Sequence, residues 1–273
     1  MKKLSVFLTV LMCVLSVLGL FACNKAPIEP ITVEGESTVF NTDLTVKELK
    51  DDCKKVAFAY VYNLTYKTYG YVSTSTGKVN AKVLFFNYDV TFGTTTVKKG
   101  NLYHAVEFSR STFVNFDEER FSNDEKIAVK RDNKDFEVKP LKEYHEKSYS
   151  PEQALISGYI FTEESILSAE FLGETDGVYA FKYIMDNELA TPFVRSNMRA
   201  TGDLSDYPTI KSATVTIYMN DNFAPVKTEI FAEYDAQKPI VGNTACTHTE
   251  TIEYSLSANV TIENESELLK LLG

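Results

Sequence analysis

Tryptophan is absent from the 273 residues, and histidine (3), cysteine (4), proline (8) and glycine (12) are sparse. His104, His145 and His248 lie far apart with no HExxH spacing, which removes the usual zinc-hydrolase arrangement. There is no GxSxG nucleophile elbow and no CxxC pair. Asp203, Asp206, Asp221 and Asn222 gather acid, but no twelve-residue loop closes on a glutamate as calcium binding requires. Carboxylate pairs such as Glu118-Glu119 and Glu163-Glu164 fall where solvated loops and helix starts place acids. Ser75 and Lys78 match SxxK, whose chemistry needs the two residues one helical turn apart; here they sit in a segment with turn composition. Lack of Trp and of repeated βαβ units argues against a sugar-stacking solute receptor. Positive charge is also short: 28 Lys+Arg face 38 Asp+Glu, a net charge of −10, so nothing is left over to neutralise phosphates and no nucleic acid is expected as a partner. No catalytic residue, metal site or cofactor is expected, and a binding role fits better than an enzyme.

A long apolar run occurs at the amino end. Lys2 and Lys3 precede an uncharged stretch, 4–22, the pattern of an export signal. Its end, Leu20-Phe21-Ala22-Cys23, resembles the lipobox of bacterial lipoproteins. That resemblance implies cleavage after residue 22, a diacylglycerol and an acyl (palmitate-type) chain on Cys23, and residence at a cell membrane, lipid-anchored on its extracytoplasmic face. Two other readings stay open. An uncleaved anchor helix would need roughly 20 apolar residues, and a plain secretory signal would end at Ala22. All three export the chain beyond Cys23, because the lysines remain inside. Losing residues 1–22 removes Lys2 and Lys3 and no acid, moving the net charge from −10 to −12. Such a surface is repelled by an anionic membrane. Residues 23–40 then serve as an extended linker, with prolines at 27 and 30.

Cys13 leaves with the signal, so Cys53 and Cys246 remain. In an exported chain they form a candidate disulfide; the alternative is two small buried hydrophobes, one on a helix and one on a strand.

The rest, taken as one α+β domain over 41–258 with a tail at 259–273, is strand-rich. Thr45 with Glu48 predicts a capping box and a helix of about three turns through Val46, Leu49, Cys53 and Val56. Period-two alternation predicts strands over 58–67, 79–92 with a bulge near Phe85, 102–108 and 112–116. A turn is expected at 75–78, a polar connection at 117–120, short strands at 127–130 and 136–138, and a helix start at 150–153. Thr175-Asp176-Gly177 predicts a hairpin between 170–174 and 178–185. A helix is expected over 187–200 if Pro192 lies in its first turn. Strands over 209–219, 226–234 and 244–256 complete a meander, and Leu268, Leu269, Leu271 and Leu272 predict a terminal amphipathic turn. The whole suggests a large, strongly curved antiparallel sheet, a half-barrel covered by a few helices, with two similar halves meeting near 117–150.

That layout resembles the half-barrels of the lipoprotein-carrier type (LolA/LppX-like), which implies a cavity for a lipid or other apolar small molecule. Tyr60, Tyr62, Tyr66, Phe86, Tyr88, Phe92 and Phe108 are the candidate lining, or else ordinary core. A cell-envelope domain that binds protein or peptide without a cavity is the alternative.

Overall fold

The computed structural model describes residues 40–83, 86–111, 115–144, 155–201, 204–238 and 242–273. The signal, Cys23, most of the linker, His145 and the helix start expected at 150–153 lie outside the described residues.

Helix formation begins at the capping box. The Thr45 N–H donates to the Glu48 carboxylate at 2.7 Å, and α1 (Val46–Leu49) buries Val46 and Leu49. A second cap follows. The Asp52 side chain accepts from the Lys55 N–H, starting α2 (Cys53–Tyr62), which runs into one π-helical turn, Asn63–Lys67. The strand expected over 58–67 is therefore helix. Val56, Ala57, Phe58, Ala59, Tyr60 and Val61 are all buried, so this helix is apolar all round and shows no 3.6-residue stripe. Its β-branched and aromatic residues then imitate a strand. Lys98, 3% exposed, donates from Nζ to the carbonyls of Leu64, Thr65 and Thr68 and so closes the carboxyl end of this helix.

Eleven strands make one antiparallel sheet. The first six, β1 (Gly70–Val83), β2 (Phe86–Lys99), β3 (Leu102–Ser111), β4 (Asn115–Ser122), β5 (Lys126–Arg131) and β6 (Glu137–Pro140), form one meander, and a short helix, α3 (Leu141–Tyr144), follows it. A small hairpin, β7 (Leu155–Ile156) with β8 (Tyr159–Ile160), leads to the second meander. This comprises β9 (Ile166–Thr175), β10 (Val178–Met185), β11 (Thr209–Asn220), β12 (Pro225–Lys238) and β13 (Gly242–Leu256), with α4 (Pro192–Thr201) inserted after β10 and α5 (Glu265–Leu272) at the end. The strand order is β6-β5-β4-β3-β2-β1-β13-β12-β11-β10-β9. The β1–β13 pairing fuses the meanders, while β6 and β9 do not meet, so the half-barrel stays open.

Three local expectations change. Val83 pairs with Phe86, so two strands, rather than one bulged strand, account for the parity change near Phe85. Residues 75–78 lie inside β1 instead of in a turn. Gly77 is there because the Phe92 ring, on the paired strand, occupies the place of a Cβ, which would lie 2.0 Å from it. Residues 117–120 belong to β4, with their charges paired across the sheet. The Asp176-Gly177 turn has positive φ at both positions (52° and 77°), as a tight hairpin with right-handed strand twist requires. Pro192 opens α4, where its missing N–H costs nothing.

Helix α2 lies over the inner face of β9–β12. Tyr183 donates its hydroxyl to the Cys53 carbonyl at 2.9 Å, and Phe161, Phe171 and Phe181 pack beside it. On the outer face, α5 seals Phe121 and Ala128 under Leu268 and Leu272. Lys99 ties it down through Glu265 at 2.6 Å. The tail at 259–273 is thus docked on the sheet.

Candidate functional site

Where α2 ends, the inner face is hollow. A groove of about 540 Å³ lies between β1–β4, β12 and β13 on one side and the β7–β8 hairpin and α4 on the other. Strand register explains its floor. Because paired residues share a face, three transverse rows result: Phe92–Gly77–Glu250–Ile230, Val90–Val79–His248–Ala232 and Tyr88–Ala81–Cys246–Tyr234. The last row and Val79 and Val90 of the second, together with Ala236 and, from the cover, Val194, Met198 and Leu204, make an apolar end.

The other end is ionised. Arg120 donates from Nη2 to Glu107 Oε2 at 2.7 Å and from Nη1 to the Tyr144 hydroxyl at 3.3 Å, with Nε 3.7 Å from Glu118. Glu118, 5% exposed, also accepts from Nε and Nη2 of Arg131 at 3.0 and 2.7 Å. Burial works to lower the Arg120 pKa, but Tyr144, Glu107 and Glu118 outweigh it and keep the guanidinium charged. Burial pushes the Glu107 carboxyl above its usual range; Arg120 pulls it back, and Glu118 and Glu250 push it further up. Glu250 itself accepts from the Ser75 hydroxyl and lies 3.4 Å from His248 Nε2. The His248 ring stacks against Phe92 at 5.2 Å. A second hollow of about 580 Å³, lined by Glu118, Arg120, Arg131, Lys139 and Tyr144, continues from this end.

Of the seven aromatic residues expected to line a cavity, Tyr88 and Phe92 do. Tyr60 is wholly buried in the core, because it belongs to α2 rather than to a strand. Tyr62 and Tyr66 stack on one another at 5.1 Å, Tyr66 being half exposed. Phe108 lies on the outer face, where its ring covers Gly93. Phe86 begins β2, and its side chain lies outside the described residues. The lining also includes Tyr71, Tyr159, Tyr234 and Tyr254, which the sequence pattern did not mark as cavity residues. The alternation within 244–256 does carry the signal for His248, Glu250 and Tyr254, since Cys246, His248, Glu250, Ile252 and Tyr254 are every second residue.

The candidate disulfide is not formed: Cys53 and Cys246 both remain thiols. Cys53 sits at the start of α2 against β10, whereas Cys246 is on β13, three strands away and roughly 14 Å along the sheet at the ordinary strand spacing. Each thiol donates to a nearby backbone carbonyl, Lys50 and Thr244 respectively. Ser75 faces the groove while Lys78 turns outward to Asp89 at 2.8 Å, as residues three apart in a strand must. Among the described residues no group of three His, Cys, Asp or Glu is placed to hold a metal ion.

No family model matches the chain, and no curated protein matches it. Solved structures similar to it include a DUF1329 family protein from Desulfovibrio piger (10% identity, 78% of this chain and 93% of that chain, TM-score 0.26). The ywiB protein from Bacillus subtilis is another (12%, 69% and 93%, TM-score 0.23), as is Rv2717c from M. tuberculosis (5%, 71% and 97%, TM-score 0.25).

Proposed function

We propose that this protein is a membrane-tethered extracytoplasmic binding module that shelters a lipid or another apolar molecule in its inner groove. One observation carries the reading: half of the inner face is packed solid under α2, while the other half encloses about 540 Å³ lined by Val79, Ala81, Met198 and Leu204. A hollow of that size falls within the roughly 300–1,000 Å³ typical of small-molecule sites. Apolar walls without a filling side chain cost stability through lost contacts, which a bound chain restores. A domain that bound protein or peptide on its surface would leave this hollow without a use.

In this reading Cys23 bears the diacylglycerol and residues 23–40 hold the acidic domain off the bilayer. Two acyl chains make that tether stable where one would be marginal. Labelled palmitate enters the wild-type chain and not Cys23→Ala; equal labelling of both rejects the anchor. The binding role is tested by native mass spectrometry of the Cys23→Ala protein, which has no acyl chain of its own to occupy the groove. The expected spectrum shows a co-purified apolar molecule at one per chain. Repeated spectra of the bare protein, unchanged after incubation with lipid extract, count against it.

A further inference from the structure

The ionised end of the groove contains one acid that no Lys or Arg pairs with among the described residues. Glu118 is shared by Arg131 and Arg120, and Glu107 takes Arg120. The guanidinium of Arg120 is thereby occupied on all three of its nitrogens, by Glu118, Glu107 and Tyr144. Glu250 has only the Ser75 hydroxyl and His248, and no Lys or Arg pairs with it among the described residues. Its side chain is 16% exposed, in the first of the three rows of the groove floor, between Gly77 and Ile230.

A second, independent feature faces the same space. Tyr159 lines the groove and is 2% exposed, yet its hydroxyl has no hydrogen-bond partner among the described residues. A buried hydroxyl left unpaired costs on the order of 1–3 kcal/mol, a cost that a partner bound in the groove would relieve. Beside it, Phe92 and Tyr254 also line the groove.

We infer that the ligand of this groove is an amphipathic cation, an apolar chain ending in an ammonium group that Glu250 and Tyr159 receive. This deepens the binding role proposed above and rests on it. The ammonium donates to the free lone pairs of the Glu250 carboxylate and to the Tyr159 oxygen. Its chain then runs along β13 past His248 to Cys246 and Ala236, a length of about 13 Å from residue 250 to residue 246 at ordinary strand rise. An anionic headgroup meets the opposite, since Glu250 and Glu107 repel it, and Arg120 already lies between Glu107 and Glu118. The direction of the Glu107 shift, upward partly through Glu250, agrees with a groove field that is negative before a ligand arrives.

The test is calorimetric titration of the Cys23→Ala chain at pH 7 with three ligands of equal length, decylamine, decanoate and decanol. Decylamine is expected to bind at least about tenfold more tightly than either of the others, the size of a desolvated charge-assisted contact. Glu250→Gln, which keeps the shape and an acceptor for Ser75, removes that preference and leaves decanol within about twofold. Decanoate binding as tightly as decylamine, or an unchanged preference in a folded Glu250→Gln protein, overturns the inference. If decanol binds and decylamine gains nothing, the ammonium site falls while the groove remains a binding site; if none of the three binds, both fall.

Discussion

Arg120→Met lowers unfolding free energy by about 3 kcal/mol, a cost characteristic of removing one partner from a buried ion network. Methionine fills the aliphatic volume, so the loss reports charge. What remains is Glu107, with a side chain 15% exposed and no other cation within ion-pair distance among the described residues, facing Glu118 across β3 and β4. Glu118 suffers less, because Arg131 stays with it. The pH dependence has a definite sign. The Glu107 carboxyl is already held above its unfolded range, so its contribution to stability is largest at low pH, where it is protonated in both states, and is lost as pH rises through its folded value. Without Arg120 that value rises further, and the deficit of the variant relative to wild type is therefore smaller near pH 4 than near pH 8. Adding Glu107→Gln recovers most of the loss. Urea unfolding of the three proteins at both pH values measures this; an equal deficit at both, with no recovery in the double variant, shows that Arg120 acts through packing instead.

Phe181→Ala costs about 3–5 kcal/mol, the range for emptying a large aromatic site in a core. Phe181 is fully buried on β10, with the Phe171 ring 5.0 Å away and α2 above it. Flanking atoms are held by the sheet on one side and by the Tyr183–Cys53 hydrogen bond on the other, so the space cannot collapse. The matching substitution in the hollow half behaves differently. Val79→Ala, at a partly buried groove position, deletes atoms that face open space and costs well under about 1 kcal/mol. Thermal denaturation distinguishes them, and similar costs at both sites contradict the division of the inner face into a packed and a hollow half.

All five strands of the second meander are legible in the sequence, because they bury one face and expose the other and the turn at Asp176-Gly177 needs positive φ, although β9 starts four residues before, and β12 ends four residues after, the stretches marked by alternation. The first half was harder to decode for two physical reasons. Helix α2 is buried all round, which erases the periodicity that separates a helix from a strand, and this misplaced Tyr60, Tyr62 and Tyr66. Strand β4 turns Glu118 and Arg120 inward, where alternation of apolar residues no longer marks the buried face. A groove is compatible with the curved sheet that the alternating strands imply, and two of the alternating aromatic residues, Tyr88 and Phe92, line it. Its charged end was not legible, since Glu107, Arg120 and Glu250 become neighbours only through pairing across β1–β4 and β13.

If this protein is a binding module, the inner groove, and no other surface, holds the apolar molecule. Adjacent residues of β1 test it, because Ala81 faces the groove and Asn80 faces outward, where it donates to Asp89. Native mass spectra of Ala81→Trp and Asn80→Trp, both made in the Cys23→Ala chain, put an indole on either side of the same strand. The co-purified molecule is expected to disappear from Ala81→Trp and persist in Asn80→Trp; its persistence in a folded Ala81→Trp protein would place the ligand elsewhere.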